Sequence, residues 1–66
     1  MKTITATVSD ESEMTASLEG AYNIFKEFEV EAEIVAYAGF VIGDVPDDKI
    51  PLILEKFGTN YRINGL

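Results

Sequence analysis

Residues 27–43 read EFEVEAEIVAYAGFVIG and decide the fold, and Val30–Ile42 within them is the most apolar run of the chain. In its first half, acids alternate with apolar residues. A period of two is typical of a β-strand that carries acids on one face and apolar side chains on the other. The pattern predicts the central strand of a small α+β domain. The side chains predicted to face the helices are Val30, Ala32, Ile34, Ala36, Ala38, Phe40 and Ile42, and those predicted to face away are Glu29, Glu31, Glu33, Val35, Tyr37, Gly39 and Val41.

The same stretch allows two other structures. Gly39 is compatible with a turn or bulge, which would divide residues 29–42 into a hairpin. Apolar residues also recur at alternating spacings of four and three, a heptad pattern that would make residues 11–38 one long helix able to pair with another. The β-branched residues in the stretch favour a strand. One strand, a hairpin and part of a long helix all remain open.

The residues before this stretch predict a strand and a helix. Lys2–Val8 alternates between Thr and apolar residues, as expected of a strand with a Thr row on one face. Asp10 and Glu13 have the spacing of a capping box. Apolar residues then follow at helical spacing, which predicts a helix over residues 11–28.

The residues after this stretch predict a second helix and a last strand. Residues 43–48 are rich in Gly, Pro and Asp, as expected of a loop. Asp47 or Asp48 is suited to cap the helix that follows, and Gly58 is suited to end it. Residues 59–64 are expected to form a short strand.

These elements predict one α+β domain over residues 1–66. We expect a single-layer sheet of three or four strands with two helices on one face. The element order is βαβαβ if residues 29–42 are one strand. It is βαββαβ, a ferredoxin-like order, if they form a hairpin.

Composition argues against most catalytic and cofactor chemistry. The chain has no Cys and no His, which removes disulfides, zinc and haem ligation, and nucleophilic catalysis that uses a His base. Asp44, Asp47 and Asp48 lie close together and carry oxygen ligands of the kind that calcium or magnesium takes, but their spacing is better explained by a turn and a helix cap. We expect no enzyme activity, no cofactor and no metal.

The formal net charge is −7, and the charge is unevenly distributed. Residues 3–48 hold eleven acids and a single base, Lys26. An acidic surface argues against direct nucleic-acid binding and favours a larger protein partner with a basic surface. Residues 34–42, the longest apolar run, are too short to span a bilayer, so we expect no membrane partner. The absence of Cys fits a cytoplasmic location, which we expect.

The predicted second face of the central strand has the anatomy of a protein interface, an apolar centre with a charged rim. The three alternating glutamates would stand about 6.6–7 Å apart along a strand, near the roughly 6–7 Å spacing of phosphates along a nucleic-acid strand. The face is therefore suited to imitate DNA towards a basic protein. The predicted partner-binding residues are Val35, Tyr37, Val41, Glu29, Glu31, Glu33, Asp44, Asp47 and Asp48.

Together, these features predict a small acidic protein-binding module without enzyme activity. We expect it to inhibit or regulate a larger protein, including one that itself binds nucleic acid, in the manner of the small proteins that phages and mobile elements produce. The alternative is a homo-oligomeric structural module, such as a homodimer, that pairs through the same open sheet face.

Overall fold

The described part of the chain folds into a four-stranded sheet with two α-helices. A computed structural model describes residues 1–8 and 17–66. The four strands form one sheet in the order β2-β3-β1-β4, with every neighbouring pair antiparallel. The domain is α+β, as predicted. The elements in chain order are β1 (Lys2–Val8), α1 (Leu18–Glu27), β2 (Glu31–Val35), β3 (Phe40–Val45), a single 3-10 turn (Asp47–Lys49), α2 (Ile50–Phe57) and β4 (Tyr61–Asn64).

The central stretch forms a hairpin of β2 and β3, joined by a turn at residues 36–39. Val35 pairs with Phe40 across the turn. The C=O of Val35 accepts hydrogen bonds from the N–H groups of Ala38, at 3.1 Å, and Gly39, at 2.9 Å. Gly39 adopts a φ of 81°, a conformation that favours glycine. Of the three alternatives for residues 29–42, the single strand and the long helix are therefore wrong.

The turn changes which residues of the hairpin share a face. Because Val35 and Phe40 are direct partners, Phe40 and Ile42 lie on the same side of the sheet as Glu33, and Val41 lies on the other. The prediction that Phe40 and Ile42 face the helices is wrong. The prediction that Val41 lies on the outer face is also wrong, since Val41 is 0% exposed. The alternation passes through a turn, where the period of two does not hold.

Helix α1 begins after Ser17, whose backbone is extended and whose Oγ accepts a hydrogen bond from the N–H of Gly20 at 2.9 Å. This is the arrangement of an N-cap residue. The helix predicted over residues 11–28 therefore does not run unbroken through Ser17. The predicted capping box of Asp10 and Glu13, and the predicted helical residues 11–16, lie outside the described residues.

Helix α1 ends in a Schellman motif, and this keeps Glu29 out of the sheet. The N–H of Glu29 donates to the C=O of Lys26 at 2.9 Å, and the N–H of Val30 donates to the C=O of Phe25 at 3.0 Å. Glu29 takes the left-handed position of this motif, with a φ of 60°. The prediction that Glu29 belongs to the strand is wrong, because its backbone closes the helix instead.

Helix α2 follows the 3-10 turn without a side-chain cap. Neither Asp47 nor Asp48 caps it, so the prediction of an aspartate cap is wrong. Pro51 occupies the first turn, where its missing N–H costs nothing. Gly58 ends the helix with a φ of 62° and donates its N–H to the C=O of Leu54 at 3.1 Å, so the predicted stop is confirmed.

Both helices pack on one side of the sheet around a single core. Phe57 of α2 packs edge-on against Phe25 of α1, with ring centroids 5.2 Å apart, and against Tyr61 of β4, at 5.1 Å. Such pairs add specific geometry to apolar burial. The buried core consists of Ile4, Ala6, Ala21, Phe25, Val30, Val41, Val45, Ile53, Phe57 and Tyr61.

Candidate functional site

The side of the sheet opposite the helices, here called the open face, is covered by no described element. The strand registers define its rows. Glu31, Asp44 and Thr3 are neighbours in one row, and Val35, Phe40, Thr7 and Arg62 are neighbours in another. The complete face comprises Thr3, Thr5, Thr7, Glu31, Glu33, Val35, Phe40, Ile42, Asp44, Arg62 and Asn64.

Three apolar side chains form the centre of this face and are called the apolar patch: Val35, Phe40 and Ile42. Val35 and Phe40 are direct cross-strand partners, and Ile42 follows Phe40 on the same face of β3. All three are only partly buried, although their types favour burial. The threonines of β1 lie beside them, since Thr5 pairs with Ile42 and Thr7 with Phe40. Adjoining apolar side chains on an open sheet surface are typical of a binding surface.

Three carboxylates adjoin the apolar patch and are called the acidic corner: Glu31, Glu33 and Asp44. Glu31 lies directly opposite Asp44, and Glu33 directly opposite Ile42. Asp44 Oδ1 accepts a hydrogen bond of 2.7 Å from Thr3 Oγ1. No cation from residues 1–8 or 17–66 forms an ion pair with these three carboxylates. Like charges placed opposite each other destabilise a strand pair, so a cation supplied from outside would relieve a repulsion that the fold contains.

A shallow, open depression lies within the acidic corner. Its lining residues are Glu31, Ala32, Glu33, Ile42, Gly43 and Asp44. Ala32 and Gly43 pair with each other and belong to the core face, so on this side only their backbone contributes to the lining. The side chains around the depression are therefore three acids and one isoleucine. Such a site suits the head of a Lys or Arg side chain with an apolar stem.

The structure brings together four of the nine predicted site residues, Val35, Glu31, Glu33 and Asp44, on the open face. Tyr37 lies in the turn of the hairpin rather than on the sheet and is 96% exposed. It adjoins the apolar patch through Val35. The ladder of three glutamates is reduced to two, because Glu29 closes α1.

The remaining predicted residues lie elsewhere. Val41 is in the core. Asp47 and Asp48 belong to the 3-10 turn before α2, outside the open face. Asp47 Oδ1 lies 3.0 Å from the amino group of Met1. The hydrogen bond and the positive charge of that amino group lower the pKa of the Asp47 carboxyl from its ordinary value.

Sequence reasoning missed Phe40 and Ile42 as members of the site. The available signal is Gly39, which is compatible with a turn. A four-residue turn at residues 36–39 places Phe40 opposite Val35. Counting the alternation backwards from Val45 would then have assigned Phe40 and Ile42 to the outer face and Val41 to the core.

Within residues 1–8 and 17–66, no three acidic side chains are arranged to hold a metal ion. None of the described helices has the length and apolar character needed to cross a membrane. A second shallow depression lies where the end of α1 meets α2, lined by Glu27, Phe28, Leu52, Glu55 and Lys56.

Comparisons with known proteins give no family assignment. No protein-family model matches the chain, and no curated protein and no solved structure is significantly similar to it.

Proposed function

We propose that this protein is a small binding module, without enzyme activity, that inhibits or regulates a larger protein by docking its open face on a basic surface of that partner. The observation that carries the proposal is the apolar patch beside an acidic corner, on a sheet face without a described cover. Protein interfaces combine an apolar centre with a polar or charged rim in this way.

The two parts of the face have separate physical roles. The apolar patch loses contact with water on docking, which supplies the non-directional part of the affinity. The acidic corner and the net charge of −7 attract a cationic surface, which increases the rate of encounter and selects against acidic partners. A DNA-binding protein has a cationic surface of this kind. Imitation of DNA is the version of the proposal in which the acidic corner occupies a phosphate-binding site.

Tyr37 extends the same surface at the tip of the hairpin. Its side chain is 96% exposed, and it follows Val35 of the apolar patch by two residues. Tyrosine is one of the residue types that contribute most to binding when a partner buries them. We therefore include Tyr37 in the docking surface as an anchor that a pocket of the partner receives.

For the architecture, we propose the ferredoxin-like assignment. Support comes from two interleaved β-α-β units. Strand β3 lies between the two strands of the β1-α1-β2 unit, and β1 lies between those of the β3-α2-β4 unit. Both helices then lie on the same side of the sheet, which leaves the opposite side free for docking.

The test is affinity capture from the native host with three forms of the protein in parallel. The first is wild type. The second carries Phe40→Thr and Ile42→Thr, which keep strand propensity while removing the apolar patch. The control carries Leu52→Gln, which removes an exposed apolar side chain (53%) from α2 on the other side of the molecule. Circular dichroism establishes that all three are folded.

We expect wild type and the Leu52→Gln variant to capture the same basic protein, and the double variant to lose it. Addition of salt should weaken the capture, because exposed charges are screened. If the double variant recovers the partner at undiminished strength, the open face is not the docking site.

A specific feature also favours a second function, self-pairing through the open face. Arg62 lies at the corner diagonally opposite the acidic corner, beside Thr7. Two copies stacked face to face about a suitable two-fold axis would bring Arg62 of each towards the acids of the other. Sedimentation at increasing protein concentration distinguishes the two functions, since a strict monomer excludes self-pairing and a dimer that the Phe40→Thr, Ile42→Thr variant abolishes supports it.

A further inference from the structure

Strand β2 lies at one edge of the sheet, with β3 as its only described neighbour. Its five residues pair with β3 without a bulge. In such a strand, the N–H and C=O groups of alternate residues point away from the sheet. Natural edges are usually protected by Pro, by bulges, by short length or by charge. Strand β2, which reads EAEIV, has only charge, at Glu31 and Glu33.

The two sides of β2 differ in character. Glu31 and Glu33 lie on the open face, with Asp44 as a third acid next to them. Ala32 and Ile34 lie on the helix side. Ile34 is nevertheless 38% exposed, because it lies at the uncovered margin of the sheet. An incoming strand would therefore meet acids on one side and a partly exposed isoleucine on the other.

The glutamates disfavour pairing between two copies of β2. An antiparallel pair centred on Glu33 would place the two Glu33 carboxylates opposite each other, and a parallel pair in register would also oppose the two Glu31 carboxylates. Like charges directly opposite are destabilising in a sheet. The same charges attract a strand that presents Lys or Arg at these positions.

We propose that β2 accepts an added strand from the partner, and that this strand alternates basic with apolar residues. The inference rests on the proposed function and specifies how the partner binds. Basic side chains two residues apart, about 6.6–7 Å along the strand, would meet Glu31 and Glu33. The apolar residue between them would lie opposite Ala32, and the next apolar residue, beyond the partner of Glu33, would pack beside Ile34. Main-chain hydrogen bonds would extend the sheet.

The probe is a capped peptide of sequence Thr-Lys-Val-Lys-Val-Lys-Thr, titrated into the protein of residues 1–66 and followed by amide NMR. We expect saturable binding together with slower hydrogen exchange at alternate amides of β2. Two further peptides are N-methylated, one on the Lys amides and the other on the Val amides. Only one of these sets faces the protein in an added strand, so one methylated peptide should lose binding and the other should keep it. Equal binding by both methylated peptides would overturn the proposal.

Charge reversal on the protein provides the second arm. The variant Glu31→Lys with Glu33→Lys should bind the Lys peptide about tenfold more weakly than wild type does. The variant should instead bind a second peptide, in which Glu replaces each Lys. The control carries Asp48→Lys with Glu55→Lys, which changes the net charge equally at exposed positions away from the edge. If the two variants lose equal affinity for the Lys peptide, net charge alone explains the binding, and the proposal is overturned.

The Phe40→Thr, Ile42→Thr variant separates this inference from the proposed function. Suppose that this variant loses the native partner but still binds the Lys peptide, and that the same methylated peptide as before fails to bind. Both proposals are then supported. If partner binding needs the apolar patch but neither methylation set affects the peptide, docking uses the face alone and strand addition is wrong. If the native partner is captured regardless of changes at the face and at β2, both are wrong.

Discussion

At the scale of single residues, Gly43 determines how closely helix α1 approaches the sheet. A Cβ at this position would lie 2.9 Å from two ring atoms of Phe25 and 3.2 Å from the C=O of Glu31. Phe25 is fully buried in the core and has little room to move. The aromatic ring therefore packs directly on the backbone of β3, and the absence of a side chain at Gly43 is what permits it.

Gly43→Ala should destabilise the fold by about 1–3 kcal/mol, because an added methyl group in a filled core forces the Phe25 ring or strand β3 to shift. Urea denaturation measures the change. In a Phe25→Leu background, the smaller side chain leaves space and the same substitution should cost less. If the two substitutions prove additive, the contact between Phe25 and Gly43 is not the cause.

Tyr61 joins the start of α1 to the last strand through its hydroxyl group. The hydroxyl donates to the C=O of Ser17 at 3.1 Å and accepts from the N–H of Ser17 at 3.2 Å. Tyr61→Phe keeps the ring packed on Phe57 but removes both hydrogen bonds. We expect a loss of about 1 kcal/mol, or roughly 4–8 °C in Tm.

Calorimetry of the Tyr61 variant needs a matched control, and Tyr37→Phe provides it. The Tyr37 side chain is 96% exposed, so removal of its hydroxyl group costs only hydrogen bonds with water. Its free energy of unfolding should stay within about 0.5 kcal/mol of wild type, as is usual for surface substitutions. A similar loss in both variants would mean that the contact with Ser17 contributes nothing specific.

At the scale of elements, the end of α1 carries a correctable strain. Glu29 holds the left-handed position of the Schellman motif, where glycine is the usual residue. A residue with a side chain loses about 1–2 kcal/mol in the left-handed conformation, and the entropic cost of glycine offsets about 0.5–1 kcal/mol of the relief. Glu29→Gly should therefore stabilise the protein by about 0.5–1 kcal/mol, helped by the removal of an acid from the negative end of the helix dipole. Chemical denaturation measures whether the free energy of unfolding of the variant rises as expected.

The control for this prediction is the same substitution in the strand. Glu33→Gly removes a glutamate from extended backbone in the middle of β2, where glycine weakens a strand. We expect a loss of about 0.5–1 kcal/mol. The change in the free energy of unfolding should therefore have opposite signs for the two substitutions, because the backbone is left-handed at Glu29 and extended at Glu33. Changes of the same sign would contradict the prediction.

The elements themselves were largely predictable from the sequence, whereas the faces of the central hairpin were not. Strand β1 has the predicted bounds, and Gly58 ends α2 as predicted. These features follow from local periodicity and backbone preference. Glu29 was misplaced because the alternation runs on through a helix end. Val41 was misplaced because a four-residue turn shifts the count, and a period of two has no means of detecting a turn within it.

At the scale of the whole molecule, charge opposes the fold more than it supports it. Residues 3–48 contain eleven acids and one base, while the three bases Lys49, Lys56 and Arg62 follow with a single acid, Glu55. The two described ion pairs, Met1 with Asp47 and Lys56 with Glu27, are both exposed and contribute little. The acidic corner is the part of the described sheet where like charges are forced together by register.

Asp44→Asn should consequently raise the stability of the free protein. The amide oxygen can still accept a hydrogen bond from Thr3 Oγ1, weaker than the bond to the carboxylate, while the repulsion with Glu31 is removed. We expect a gain of about 0.5 kcal/mol at low salt. The gain should shrink as the Debye length falls from about 30 Å at 0.01 M to about 3 Å at 1 M salt.

Glu55→Gln is the matched control, because it removes the same charge from an exposed position on α2, within the basic C-terminal part of the chain. It should give no gain at low salt. Thermal melts of both variants at the two salt concentrations provide the measurement. If the Asp44 variant gains equally at both, or if the two variants gain equally, the opposed carboxylates of the acidic corner are not a local repulsion. In the proposed complex, the effect of Asp44→Asn should be unfavourable. The substitution removes a charge that the basic partner neutralises, so it should weaken binding although it stabilises the free protein.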